Sequence, residues 1–331
     1  MQTPNLYFLI LLIFLPIRDP VSNFKHTQLI IPTANVVKAK LYPQIEPCIN
    51  FFNLAFIGND MIAGRCYKGQ QLIQNKAFVV HSIYLIIPSK FKKQFELTWF
   101  YPMQQILNRH QQWIGVEDPR FFYFKEWYLQ FTGDASDSHI RTMHIIPINT
   151  AIRNALPTNI LTDIDNKPTE KNWAFFGETN LHAIYSLTPF TVGLVHGNKL
   201  NLLWKSDFDC LSGHITIATN ALRVELHNDA YYLIIYHDRE TTDYYKHYVL
   251  LIQGSYPFKP LRRSSHPLKI NAAHKKFIYL SSLNTESGNP VADLDSILIL
   301  SGGIDDTQGV VMKTTAGQLL SRTTAICQMM K

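Results

Sequence analysis

A pair of short apolar runs joined by a tight turn occurs five times along this chain, and that recurrence narrows the folds open to it more than any other feature. The pairs span Phe51 to Cys66 around Gly58-Asn59-Asp60, Phe121 to Thr132 around Lys125-Glu126, Asn172 to Leu187 around Glu178-Thr179-Asn180, and Leu222 to His237 around His227-Asn228-Asp229. A fifth runs from Phe277 to Gly303 around the longer Ser287-Gly288-Asn289-Pro290. Gly, Asn and Asp between β-branched and aromatic runs close antiparallel hairpins, because they tolerate the backbone angles of a tight turn. The second runs end near Arg65, Thr132, Ser186, His237 and Gly303, at intervals of 67, 54, 51 and 66 residues. A two-strand unit returning at that spacing falls in the range of propeller blades.

Further strand-like runs fill the intervals: Ala77 to Val80, Ser82 to Ile87, His144 to Ile148, Thr191 to Val195, Leu202 to Trp204 and Tyr248 to Ile252. They are short, aromatic and β-branched, and no segment sustains a long 3.6-residue apolar period. The expected class is all-β, as a five-bladed β-propeller whose small sheets bury their faces against one another. A pair of β-sandwiches is the competing architecture, although it would not require the hairpin period. At 46% hydrophobic and 17% charged residues the chain can bury a large core, and no Pro/Gly/Ser-rich linker divides it. Residues 31–331 are therefore expected as one domain, preceded by an apolar segment over 1–30.

That first segment is ambiguous. Leu6 to Ile17 is an apolar block of signal-peptide length, short for a membrane span. No Lys or Arg precedes it, and Ile17-Arg18-Asp19-Pro20 is a poor small-residue cleavage site. A signal or anchor and a buried first strand both stay open, so the location is cytoplasmic, or secreted or anchored if the segment is a signal. Membrane association would come through this segment alone. The excess of 31 Lys and Arg over 25 Asp and Glu gives a charge of +6, scattered as on a solvated surface. Arg262-Arg263 and Lys275-Lys276 are too short to indicate nucleic acid as a partner. Cys48, Cys66, Cys210 and Cys327 have neither metal-ligand spacing nor the density of a disulfide scaffold, so they read as buried thiols, with Cys48 and Cys66 on one repeat.

The motif of most chemical interest is Val116-Glu117-Asp118-Pro119-Arg120, a carboxylate pair, a φ-locking proline and an arginine directly before a hairpin. Period-2 alternation points the Glu117 side chain away from Asp118. Without a ligand in view, Asp118 reads as a turn cap before a strand.

Here the chain resembles the β-mannoside phosphorylases and hydrolases of glycoside hydrolase family 130, which are five-bladed propellers, and the related β-1,2-mannosyltransferases and phosphorylases. The resemblance runs from about residue 40 to residue 315 and rests on several motifs in order. Glu46-Pro47-Cys48 with Arg65 is similar to the family's first-blade Asn-Pro-Ser and downstream arginine. Val116 to Arg120 is similar to its acidic-Asp-Pro-Arg motif, Lys171-Asn172-Trp173 to its Lys-Asn-Trp, Tyr236-His237 to its Phe-His, and Gly303-Ile304-Asp305-Asp306 to its closing Gly-x-x-Asp.

By this resemblance Asp118 is the general acid of an inverting cleavage, relaying its proton through a sugar hydroxyl. Glu46, Arg65, Trp173 and Asp306 would contact sugar. Arg65, Arg141, Lys171 and His237 would hold inorganic phosphate as co-substrate, since a dianion draws arginine, lysine and histidine together. Arg120 would orient the motif. No metal or other cofactor is implied, and the partner is a mannose-containing oligosaccharide or sugar phosphate. Two departures matter. Glu46 replaces a sugar-binding asparagine, and the fourth-blade Arg-Gly-Gly-Thr-Pro is replaced by the stretch from Leu211 to Asn220, which has no arginine. The function classes are a β-mannoside phosphorylase or hydrolase, a β-mannosyltransferase, and a non-catalytic glycan- or protein-binding propeller.

Overall fold

Every hairpin expected from the turn residues pairs antiparallel: Asn50–Ile57 with Met61–Ile73, Glu117–Phe124 with Glu126–Asp134, Ala174–Phe176 with His182–Leu187, Leu222–Leu226 with Asp229–Thr241, and Ile278–Thr285 with Ile297–Ile304. The structure, a computed structural model, describes residues 30–31, 35–37, 50–58, 61–73, 76–87, 93–97, 113–134, 141–151, 157–162, 164–165, 171–206, 211, 213–241, 244–270 and 278–326.

Each hairpin extends to four antiparallel strands. The first unit adds Lys76–Ile87 and Lys93–Leu97, and the second Arg141–Pro147 and Thr158–Thr162. The third adds Phe190–His196 and Lys199–Lys205, and the fourth Tyr244–Gln253 and Pro260–Ser264. The fifth takes Gln308–Thr315 and then Asn35–Val37, so a strand from early in the chain completes the last unit. The runs expected separately at Ala77 and Ser82 form the single strand Lys76–Ile87. Helix among the described residues is confined to Ile148–Ala151 and Ala316–Leu320. The protein is all-β.

Alternation along the strands explains the packing. Successive side chains leave opposite faces of a strand, so Phe121 enters a core shared with Ala55, Ile83 and Leu85 of the first unit, and Phe122 one shared with Trp173 and Phe175 of the third. The other two cores likewise lie between the third and fourth units and between the fourth and fifth. Each fully buried Phe contributes about 1.5–3 kcal/mol, so the units depend on their neighbours for their apolar faces. Between the fifth unit and the first, contact is close and polar. Ser281 and Ser301 both donate to the Leu54 carbonyl, at 3.1 and 2.6 Å, and Asn284 donates to that of Phe56 at 2.8 Å. A Cβ at Gly309 would lie 2.4 Å from Leu54 Cδ1, so any larger residue there would force the buried Leu54 side chain to shift.

One side chain reaches across four units. Arg120, 1% exposed, donates to the Trp173 carbonyl and Asn172 Oδ1 of the third unit's approach, to the Ile217 carbonyl of the fourth and to the Tyr279 hydroxyl of the fifth, at 2.9–3.4 Å.

The thiol expectation is corrected at Cys66, which is disulfide-bonded. A cross-link is decided by whether the fold brings two Cβ atoms together, which spacing and composition do not reveal. Cys48, Cys210 and Cys327, residues 1–29 and Glu46 lie outside the described residues. Among those described, no helix is long and apolar enough to cross a membrane, and no group of His, Cys, Asp and Glu is placed to hold a metal ion.

Candidate functional site

Two irregularities, in Asn50–Ile57 and Glu117–Phe124, set up the site. Residues in extended strands have negative φ, yet Asn53 and Asp118 have φ of 49° and 54°. At each the strand register slips, between Phe52 and Ala55 and between Glu117 and Arg120. Asn and Asp are the side chains that best tolerate this backbone region, and a bulge turns a side chain off its alternating direction. Asn172, Asp305 and Asp306 share the same left-handed backbone, at φ of 62°, 50° and 50°. Sparsely populated backbone of this kind concentrates at functional sites.

The bulges bring Asn53 and Asp118 together: Asn53 Nδ2 donates to Asp118 Oδ1 at 2.7 Å. Arg65 completes the cluster, with one nitrogen 3.3 Å from Asp118 Oδ1 and another 3.2 Å from Glu117 Oε1. Arg141 stands 3.0 Å from the same Glu117 oxygen. The expectation that Glu117 points away from Asp118 is thus corrected. The left-handed turn at Asp118 breaks the alternation, and both carboxylates share Arg65. Burial works against the Arg65 charge, and Glu117, Asp118 and Asp306 more than offset it. Asp306 is exposed, yet loss of hydration raises its pKa; Arg65 opposes the rise, while Asp118, Glu117 and Asp305 add to it.

Beside the carboxylates stands an aromatic wall. The His237 ring packs against Tyr245 at 4.5 Å and Tyr279 at 5.3 Å between centroids. The Tyr279 hydroxyl donates to Asn172 Oδ1 at 3.2 Å. His237 Nε2 lies 2.5 Å from Thr216 Oγ1, and its Nδ1 has no partner among the described residues. Burial holds the His237 pKa well below 6.5, helped by His247, Arg120, Lys171 and Arg239. The Tyr245 pKa is raised, chiefly by burial; Arg239, whose guanidinium lies 5.9 Å from the ring centroid, opposes the rise, and Asp306 and Asp118 add to it.

His247 behind this wall is buried and accepts the Leu280 N–H at 3.1 Å, and burial depresses its pKa to about 3. The unfolded chain therefore binds more protons than the folded one below pH 6.5, and stability that is full above that pH declines as pH falls toward the folded value. Over that window each such histidine contributes a slope of about 1.4 kcal/mol per pH unit. His247→Asn retains an acceptor but cannot protonate. Urea unfolding between pH 7 and 5 is expected to show an acid limb shallower by about that amount in the variant, and an unchanged limb would rule the histidine out as its source.

Of the sequence-selected residues, the structure brings Arg65, Asp118 and Asp306 within electrostatic reach of one another and Lys171 within reach of His237. Lys171 is exposed and His237 is 4% exposed. Arg141, selected for an anion, is buried against Glu117 and the Gly115 carbonyl. Trp173, selected for sugar, is 1% exposed among Phe122, Phe175 and Tyr185 and offers no face to a ligand. Its backbone carbonyl instead accepts from Arg120 and Gln130. Sequence reasoning missed Asn53, Tyr245, Tyr279 and Arg239; only Asn53 left a trace, as a lone polar residue in the run Phe51-Phe52-Asn53-Leu54.

No protein-family model matches the chain, and no curated protein matches it by sequence. Solved structures do share its fold. β-1,2-Mannobiose phosphorylase from Listeria innocua, in complex with β-1,2-mannobiose, superposes with a TM-score of 0.60 at 12% identity, covering 87% of this chain and 96% of that one. A structure from the glycoside hydrolase family 130 mannoside phosphorylases, described as containing hydrolases that target β-1,2-mannosidic linkages in Candida mannan, gives 0.55 at 10% identity, with 86% and 95% covered. A glycosyl hydrolase from Bacteroides ovatus gives 0.54 at 10% identity, with 84% and 87% covered. At these identities the likeness establishes a common fold.

Proposed function

We propose that the chain is a five-bladed propeller, a distant relative of family 130, that cleaves or forms β-mannosidic bonds by inverting displacement, with Asp118 as the proton donor. The arrangement of Asp118 carries this reading. A carboxylate at the bulged start of a strand, held by Asn53 and Arg65 and within electrostatic reach of Asp306, is a fixed and positioned group rather than a turn cap. The five four-stranded units, the cores between successive units and the reach of Arg120 across four of them support the radial arrangement. In the proposed reaction Asp118 protonates the leaving oxygen, directly or through a sugar hydroxyl. Asp306 accepts hydrogen bonds from the sugar. The nucleophile attacks the opposite face of the ring.

The cations favour a nucleophile other than phosphate. Arg65 and Arg141 are engaged by Glu117 and Asp118, and the fourth-unit stretch supplies no arginine, which leaves Lys171 and Arg239 as the exposed basic groups near His237. Water makes the protein a hydrolase and an acceptor hydroxyl makes it a β-mannosyltransferase. Calorimetric titration with inorganic phosphate is expected to give millimolar affinity at best, and micromolar binding would return the protein to the phosphorylases. A product screen with mannose 1-phosphate and a sugar-nucleotide donor against several mannoside acceptors, with and without phosphate, tests the reaction class. Failure to act on any mannoside under all these conditions would leave a glycan- or protein-binding propeller.

A further inference from the structure

The strands that begin at the carboxylate cluster end at a cavity. Asp118 stands at the start of Glu117–Phe124 and Tyr123 near its end, roughly 17 Å along an extended chain. Asn172 precedes Ala174–Phe176 and Glu178 follows it; Tyr279 stands near the start of Ile278–Thr285 and Asn284 near its end. A cavity of about 190 Å³ opens at this far end, and its lining includes Tyr123, Lys125, Trp127, Glu178, Arg223 and Asn284. It shares no lining residue with the cluster around Asp118.

Its lining side chains contact one another. The Tyr123 hydroxyl donates to the Lys125 carbonyl at 3.0 Å, and the ring meets Trp127 edge-on at 5.5 Å, yet Tyr123 remains 40% exposed. The aromatic ring is thus braced by one hydrogen bond and one ring contact and left open to solvent. Across the cavity Glu178 and Arg223 form a 3.0 Å ion pair, and Arg223 makes a second contact of 3.0 Å to Glu225. Lys125 and Arg223 are matched by Glu178 and Glu225, so the local charge gives no preference for an anion. The volume is below the roughly 300–1,000 Å³ of drug-sized ligand sites, which suits one small ring.

We propose that this cavity is a second binding site, at the opposite end of those strands from Asp118, for a neutral saccharide ring. A pyranose presents an apolar C–H face and a rim of hydroxyls. Tyr123 takes the face, as aromatic rings do for apolar surfaces, while the Glu178 carboxylate accepts from one hydroxyl and the Arg223 guanidinium donates to its neighbour. An oligosaccharide end held there would keep a polymeric substrate at the protein without entering the reaction at Asp118.

The test reads the far site directly. The Trp127 indole N–H, assigned by its disappearance in Trp127→Phe, is followed by nitrogen-edited NMR while methyl β-mannoside and β-1,2-mannobiose are titrated in. A saturable shift is expected. Tyr123→Ala should weaken it about ten-fold, the equivalent of about 1.4 kcal/mol of lost contact, while Tyr123→Phe should restore it and Asp118→Asn should leave it unchanged. Glu178→Gln, at an exposed position, should weaken binding as well and serves if Tyr123→Ala fails to fold. The proposal is overturned if neither saccharide moves the resonance, if Asp118→Asn abolishes the shift, or if only inorganic phosphate produces it. Inactivity toward mannosides would sink the reaction at Asp118 and leave this reading untouched.

Discussion

Asp118→Asn is expected to lower turnover about 10²-fold or more while substrate binding survives. Asparagine tolerates the left-handed backbone that Asp118 occupies, and its side-chain oxygen can still accept from Asn53 and Arg65. What is lost is the transferable proton. A substrate whose leaving group needs little protonation should therefore recover part of the rate in this variant alone. Near-wild-type turnover on an unactivated mannoside would return Asp118 to the role of a turn cap.

Glu117→Gln separates chemistry from support. The Glu117 carboxylate is buried and lies within 3.2 Å of both Arg65 and Arg141, so neutralising it leaves two buried guanidinium groups short of a counter-charge. Breaking such a buried pairing costs about 3–5 kcal/mol. The expected signature is a lower unfolding midpoint, with turnover of the folded fraction reduced less than in Asp118→Asn. If Glu117→Gln damages turnover more, the proton donor has been assigned to the wrong carboxylate.

The hairpins were legible because their determinants are local. The turn at His227-Asn228-Asp229 places two residues in the left-handed region, at φ of 53° and 70°, and the alternating strands on either side follow from period two. The bulges were not legible in the same way. Nothing local in Phe51 to Leu54 says that Asn53 must leave the strand geometry; it does so where the fifth unit closes against the first and its side chain meets one 65 residues away. The same distance hid the aromatic wall, since Tyr245 and Tyr279 come from different units and carry no motif. Arg141 shows the reverse error. A cation at a strand end suggested an anion site, but the nearest anion proved to be the protein's own Glu117. Motif order places residues along the chain, whereas their partners are set by packing between units.

Arg120→Ala should be among the most destabilising single substitutions, at about 3–5 kcal/mol in urea unfolding. The guanidinium is buried and donates to two backbone carbonyls, to Asn172 and to Tyr279, drawn from three units other than its own. Its loss leaves those acceptors in a cavity where their remaining partners cannot all replace it, and an unsatisfied buried acceptor costs about 1–3 kcal/mol. Arg120→Lys keeps the charge but replaces a planar fork by a single ammonium, which cannot match the directions of four acceptors, so it should recover only part of the loss. The two variants also test how the units are joined. If Arg120 ties four units at one point, Arg120→Ala should lower the midpoint of a single cooperative transition. A loss below about 1 kcal/mol, on the scale of an ordinary surface contact, would mean that the inter-unit cores hold the units in place without it.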